Sequence, residues 1–134
     1  MMNPTGGCVR IDAGGSGNYG TLRTGGRRHS GLDIACVPGQ DVRAFCTGRI
    51  IREAYPYEDD LSWKGFVLEA KRATFKVFYA EVPPHLIGTV VQEGSVIARA
   101  QDISLRYPGS GVTPHIHLEV TSCDPRILFG AEVI

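Results

Sequence analysis

The chain alternates apolar and polar residues in short runs and nowhere sustains the 3.6-residue recurrence of a long amphipathic helix. Strand-like runs occupy 32–36, 41–51, 65–70, 74–82 and 115–120. In the second of these, Val42, Ala44 and Cys46 alternate with Arg43 and Phe45, the period of two that sends successive side chains to opposite faces of a strand. The run TFKVFYAEV at 74–82 is stopped by Pro83 and Pro84, which have no N–H to give to a ladder. Residues 90–98, VVQEGSVIA, predict a hairpin about Gly94. The segment 55–62, YPYEDDLS, reads as an acidic, aromatic, solvated loop placed to wall a cleft. These elements predict a mainly β protein, a single antiparallel β-sheet domain with long loops.

Length and composition narrow this further. A chain of 134 residues fits one domain and buries roughly 65% or more of its unfolded surface. The 17 glycines and 8 prolines fit strands joined by many turns. Glycines crowd residues 1–27, so that stretch reads as an N-terminal arm and 28–134 as the folded domain; Arg27 and Arg28 stand at the junction, and Cys8 is a candidate anchor for the arm. Formal net charge is zero with 21% charged residues, so no global field draws the protein to nucleic acid or to an anionic membrane. No apolar run approaches the ~18 residues that cross a bilayer. MMNPTGGC has no apolar signal core, so no leader is visible at the start of this sequence. The four cysteines form no C-x-x-C pair. An even count without that motif favours disulfides, with three possible connectivities.

Four residues carry the candidate chemistry. His29 and Asp33 form H-x-x-x-D within HSGLD; His115 and His117 form H-x-H within PHIHLEV. Two imidazoles and one carboxylate are the usual protein half of an open zinc site. On an extended strand, positions i and i+2 share a face, roughly 6.6 Å apart at about 3.3 Å of rise per residue. One of the two histidines can then bind metal while the other serves beside it. Gly31, between His29 and Asp33, disfavours a regular helix and lets the backbone bend so that both side chains converge. The four are read as one metal centre.

These residues, in order, resemble a known family. HSGLDIACVPGQDVRAFCTG, FKVFYA, VVQEGSVIA and HIHLE resemble the lysostaphin-type zinc endopeptidases, antiparallel β proteins that cut glycine-containing peptide bonds in bacterial cell walls. A closer resemblance is to the leukocyte cell-derived chemotaxin-2 family, secreted vertebrate relatives with the same fold and a bound zinc. It is carried by GNYGTLR at 17–23, Arg28 and His29, HSGLDIAC ending in Cys36, KVFY at 76–79, YPG at 107–109, HIHLE, and Asp124 with Pro125. The resemblance implies a lysostaphin-type peptidase fold, zinc ligands at His29, Asp33 and His117, and a general base at His115. It implies a Cys8–Cys36 disulfide. Cys46 and Cys123 fall off the family's cysteine positions, Thr74 standing where one is expected, and a bridge between them is left open.

The chain departs from the peptidases after Tyr79 and Ala80, where they carry a histidine that helps stabilise the tetrahedral intermediate and this chain has Glu81. A carboxylate cannot donate to an oxyanion, and loss of one such donor typically lowers turnover ~10²–10³-fold. The chemotaxin-like proteins lack this histidine too. The resemblance therefore implies a secreted zinc-binding signalling or innate-immune protein that acts on a cell-surface receptor or a glycan or peptidoglycan-type ligand. The alternative is an active zinc metalloendopeptidase cleaving bacterial cell-wall peptides. Under it, Glu81 would serve as a base, or His85 would reach back into the vacant place. Arg23, Arg27 and Arg28 read either as a basic rim for an anionic partner or as a solvated arm.

Overall fold

The computed structural model describes residues 1–12, 15–23, 26–71 and 73–120. Among them lie eleven strands: β1 (Ile11–Asp12), β2 (Gly15–Ser16), β3 (Leu32–Ala35), β4 (Asp41–Arg43), β5 (Gly48–Ala54), β6 (Gly65–Glu69), β7 (Thr74–Phe78), β8 (Ala80–Glu81), β9 (Val90–Val91), β10 (Val96–Ala100) and β11 (His115–Val120). Single 3-10 turns occupy Pro84–Leu86 and Ile103–Leu105. No helix among the described residues is long and apolar enough to cross a membrane.

The fold is mainly β and antiparallel, as the alternation predicts, but the strands form three sheets and not one. The largest has the order β3-β11-β7-β6-β5-β9, a second the order β4-β10-β8, and β1 and β2 form a small ribbon. The division follows from breaks inside runs that the sequence joins. The 41–51 run splits because Ala44, Phe45 and Cys46 are all buried, so no face of a continuous strand is left for solvent, and the chain crosses from one sheet to the other there. The 74–82 run splits at Tyr79, whose φ is +67°. The expected hairpin at 90–98 is absent: β9 pairs with β5, whereas β10 pairs with β4 and β8. Gly94, at φ +89°, makes the turn between them.

One hydrophobic cluster joins the two larger sheets. Leu32, Ile34, Phe66, Leu68, Phe75, Val77, Ile116 and Leu118 enter it from the six-stranded sheet; Val42, Ala80, Ile97, Ala98 and Ala100 enter from the three-stranded one. Phe45, on the crossing segment, meets Phe75 edge-on at 4.8 Å, a favoured aromatic geometry. Since strand side chains alternate, Asp33, His115, His117 and Glu119 project from the opposite face of the large sheet.

Backbone ladders hold the N-terminal arm. The Arg43 N–H donates to the Pro4 carbonyl (3.0 Å), Ala35 to Cys8 (2.8 Å) and Arg10 to Asp33 (2.9 Å). No disulfide joins Cys8, Cys36 or Cys46 among the described residues, so the structure does not show the expected Cys8–Cys36 bridge. Val9 pairs with Ile34, which sets Cys8 opposite Ala35, one step out of register with Cys36. Cys123, Asp124 and Pro125 lie outside the described residues.

Candidate metal centre

Two adjacent strands bring the four sequence-predicted residues together. In the β3–β11 ladder, His117 stands directly opposite Asp33, and cross-strand partners share a face. His117 Nδ1 lies 2.9 Å from Asp33 Oδ1. His29 precedes β3 on a segment paired back to the arm through Gly20 and Thr21, and its Nε2 comes within 3.1 Å of His117 Nδ1 and 3.2 Å of Asp33 Oδ1. One donor atom from each of His29, Asp33 and His117 thus lies within 4.8 Å of the others. His115, two residues along the same face, places Nε2 3.5 Å from Asp33 Oδ2.

Space at this junction depends on two glycines. A Cβ on Gly31 would lie 2.5 Å from His117 Cε1 and 2.7 Å from the Leu118 carbonyl; one on Gly17 would lie 2.4 Å from Asp33 Cβ. The backbone bends at Gly31 as expected, and the missing side chain also leaves room for the His117 ring.

Each imidazole is fixed by an acceptor that determines its tautomer. The Asn18 carbonyl lies 3.1 Å from His29 Nδ1, so that nitrogen carries the hydrogen and Nε2 faces the triad. The Glu119 carboxylate, 2.9 Å from His117 Nε2, turns Nδ1 inward. The Thr113 carbonyl, 2.7 Å from His115 Nδ1, leaves its Nε2 as the inward lone pair. Arg10, almost fully buried, donates from Nε to Asp33 Oδ2 (3.2 Å) and from Nη1 to Asp12 (2.8 Å).

Burial alone would raise the Asp33 pKa, but hydrogen bonds from His117 and His29 outweigh it and hold the carboxyl well below the usual range. Burial opposes a charge on His117, yet Asp33 and Glu119 reverse this and push it up to about 9. Without an ion, a proton on His117 balances the buried carboxylate. His115 responds in the other direction: its burial outweighs the attraction of Asp33 and lowers its pKa, keeping it neutral near pH 7. A nitrogen–nitrogen–oxygen donor set, with every ligand oriented from behind, fits a zinc ion.

The donors open on a cleft of about 340 Å³, walled also by Arg10, Arg23, Tyr79, Tyr107 and Val112. Glu81 is not in that wall. It is exposed on β8, paired with Lys64 at 3.4 Å, and lines a separate hollow with Pro83, Pro84 and Arg99. Its carboxylate is thus outside the wall of the cleft in which the aligned motif would have put it, while Tyr79, at inverted φ, lines the cleft. His85, on the Pro84–Leu86 turn, is exposed and also stands apart. Arg23, Arg27 and Arg28 do border a hollow that adjoins the cleft at His29.

Sequence reasoning missed Arg10, Asn18, Thr113 and Glu119 as supports. Glu119 was within reach of it, since H-x-H-x-E continues the alternation that places His115 and His117 on one face. Asn18 and Thr113 act through their carbonyls, which side-chain identity does not reveal.

No protein-family profile matches the chain. It is 30% identical over 114 residues to leukocyte cell-derived chemotaxin-2 of Mus musculus, spanning 84% of this chain and 71% of that protein. Among solved structures, the catalytic domain of the antimicrobial peptidase lysostaphin from Staphylococcus simulans superposes with a TM-score of 0.60 at 21% identity, over 83% of this chain and 87% of that one. A zinc-containing peptidase from Vibrio cholerae gives 0.57 at 24% identity, over 87% of this chain and 36% of that one.

Proposed function

The chain belongs to the leukocyte cell-derived chemotaxin-2 family, and from that premise we propose that it is an extracellular zinc-holding protein acting by partner binding, not by turnover. The observation that carries this reading is the convergence of His29 Nε2, Asp33 Oδ1 and His117 Nδ1, each oriented by its own support. Zinc held there supplies a Lewis acid and a fixed point of attachment for a ligand donor. Asp33 is held ionised by His117 and His29 and accepts a hydrogen bond from Arg10; His117 is oriented by Glu119; His115 presents a neutral nitrogen to the same space. A carbonyl or carboxylate from a peptide or a cell-surface glycan suits such a cleft.

Turnover asks for more than a base. Of the chain's four histidines, three form the site and His85 stands outside it, so the second imidazole of the peptidases has no counterpart. The working-endopeptidase alternative draws its support from His115, whose orientation and neutrality suit a general base. The two readings separate in release of amines from pentaglycine and from purified peptidoglycan by zinc-loaded protein. Release no greater than that of His115→Ala is expected. Because Glu81 lies away from the cleft, Glu81→His is expected to restore nothing. Robust release that vanishes in His115→Ala would establish the peptidase and end the binding-only reading.

A further inference from the structure

Tyr79 is the one non-glycine residue at positive φ among those described. In an unbroken strand it would point away from Phe78. The inversion brings both aromatics to the metal-site side: Phe78 stacks on His117 at 5.8 Å, and Tyr79 meets His115 edge-on at 5.5 Å. The conformation is held by hydrogen bonds from the Tyr79 N–H to the Lys64 carbonyl (2.7 Å) and from the Gln101 N–H to the Tyr79 carbonyl (2.9 Å). Backbone strain of this kind is of order 1–3 kcal/mol and concentrates at functional sites.

The Tyr79 hydroxyl does not stand alone. It lies 3.2 Å from the hydroxyl of Tyr57, on the loop after β5, which lies 2.7 Å from that of Tyr107. The Arg106 guanidinium packs 3.6 Å above the Tyr57 ring and pairs with Asp59 and Asp60 at 3.7 and 3.8 Å, bracing the middle member. Three hydroxyls carry three hydrogens, and two links consume two. One hydrogen is always left over. In the two head-to-tail arrangements it emerges on Tyr79 or Tyr107, both of which line the cleft; only when both ends donate to Tyr57 does it fall on Tyr57, outside the cleft, and an acceptor in the cleft favours the first two. Burial raises the pKa of both Tyr57 and Tyr79, so these two keep their hydrogens across the neutral range.

We propose that Tyr57, Tyr79 and Tyr107 form a phenol relay that donates one hydrogen bond to an oxygen acceptor, a carbonyl or carboxylate of a peptide-type ligand, held beside His29, Asp33 and His117. The proposal rests on the zinc-holding reading above and names the groups that position the ligand there. The relay places a donor in a cleft where position 81 does not supply one.

The test uses zinc-loaded full-length protein and two probes that both seek the metal. Acetohydroxamate carries acceptor oxygens; imidazole carries none. Removing both cleft phenols, as Tyr79→Phe with Tyr107→Phe, is expected to weaken acetohydroxamate about three- to tenfold, the range for one net hydrogen bond, and to leave imidazole binding unchanged. Either single variant that reproduces the loss identifies the end facing the oxygen. Equal losses for the two probes, or none for either, overturn the relay. Protein that takes up no zinc overturns the metal-site reading and the relay with it, and shows itself as stoichiometry before any probe is added.

Discussion

At the scale of single residues, the site is built as much from omitted atoms as from ligands. Gly31 sits where any side chain would strike the His117 ring, so Gly31→Ala is expected to lower zinc affinity by about 10- to 100-fold, the range seen when a ligand's orientation is disturbed. Competition with a chromophoric chelator measures this; affinity equal to that of the unaltered protein would show that the ring relaxes without consequence. That the candidate residues come together was legible, because His29, Asp33 and the His115–His117 pair combine suitable donor types with spacings that converge on a strand face. Their supports were not, since Arg10 reaches Asp33 across 23 positions and Thr113 acts through a carbonyl. Glu81 shows the complementary failure. Alignment to a motif fixes its position in sequence, but the inverted φ of its near neighbour Tyr79 decides which side chain enters the cleft.

Among elements, β11 carries both functions of the fold on its two faces. Ile116 and Leu118 are fully buried in the core, while His115 and His117 face the cleft. Leu118→Ala is expected to lower unfolding free energy by about 2–5 kcal/mol while the zinc stoichiometry of the folded protein is kept. His115→Ala, which removes a nitrogen outside the proposed ligand set, is expected to leave zinc bound. Urea denaturation alongside metal analysis checks both, and a loss of zinc in His115→Ala would place that residue among the ligands. Period-two alternation found β3, β6 and β11 within a residue or so, since one face of each is uniformly apolar. It failed at 44–47 and at Tyr79, where the chain changes sheets or inverts its backbone without any change in hydrophobic pattern.

For the whole molecule, stability and metal binding are expected to respond to pH in opposite directions. In the metal-free fold, the His117 pKa is raised from 6.5 to about 9, so its proton stabilises the fold fully below pH 6.5, and the benefit fades as pH rises through about 9. The difference is on the order of 3 kcal/mol. Zinc must displace that proton, so its affinity climbs over the same interval. Thermal melts of EDTA-treated protein are expected to fall from pH 6.5 to 9, and the gap to zinc-loaded protein to widen. A metal-free melting temperature that stays flat or rises across that interval would contradict the assignment of the proton to His117.

The position of β11 in its sheet reaches into the order of assembly. The last described strand enters between β3 and β7, two strands that come much earlier in the chain. Until residues 115–120 emerge during synthesis, β3 and β7 each present an unpaired backbone edge, and the ligand set lacks its final histidine. Completion of the sheet and of the donor triad is therefore one event, with zinc expected to recognise only a chain that has been made as far as β11. Chains cut before His115 are expected to bind no zinc at this site and to self-associate through the two open edges, which size-exclusion chromatography of such fragments would reveal; a monomeric, zinc-loaded fragment would refute this order of events.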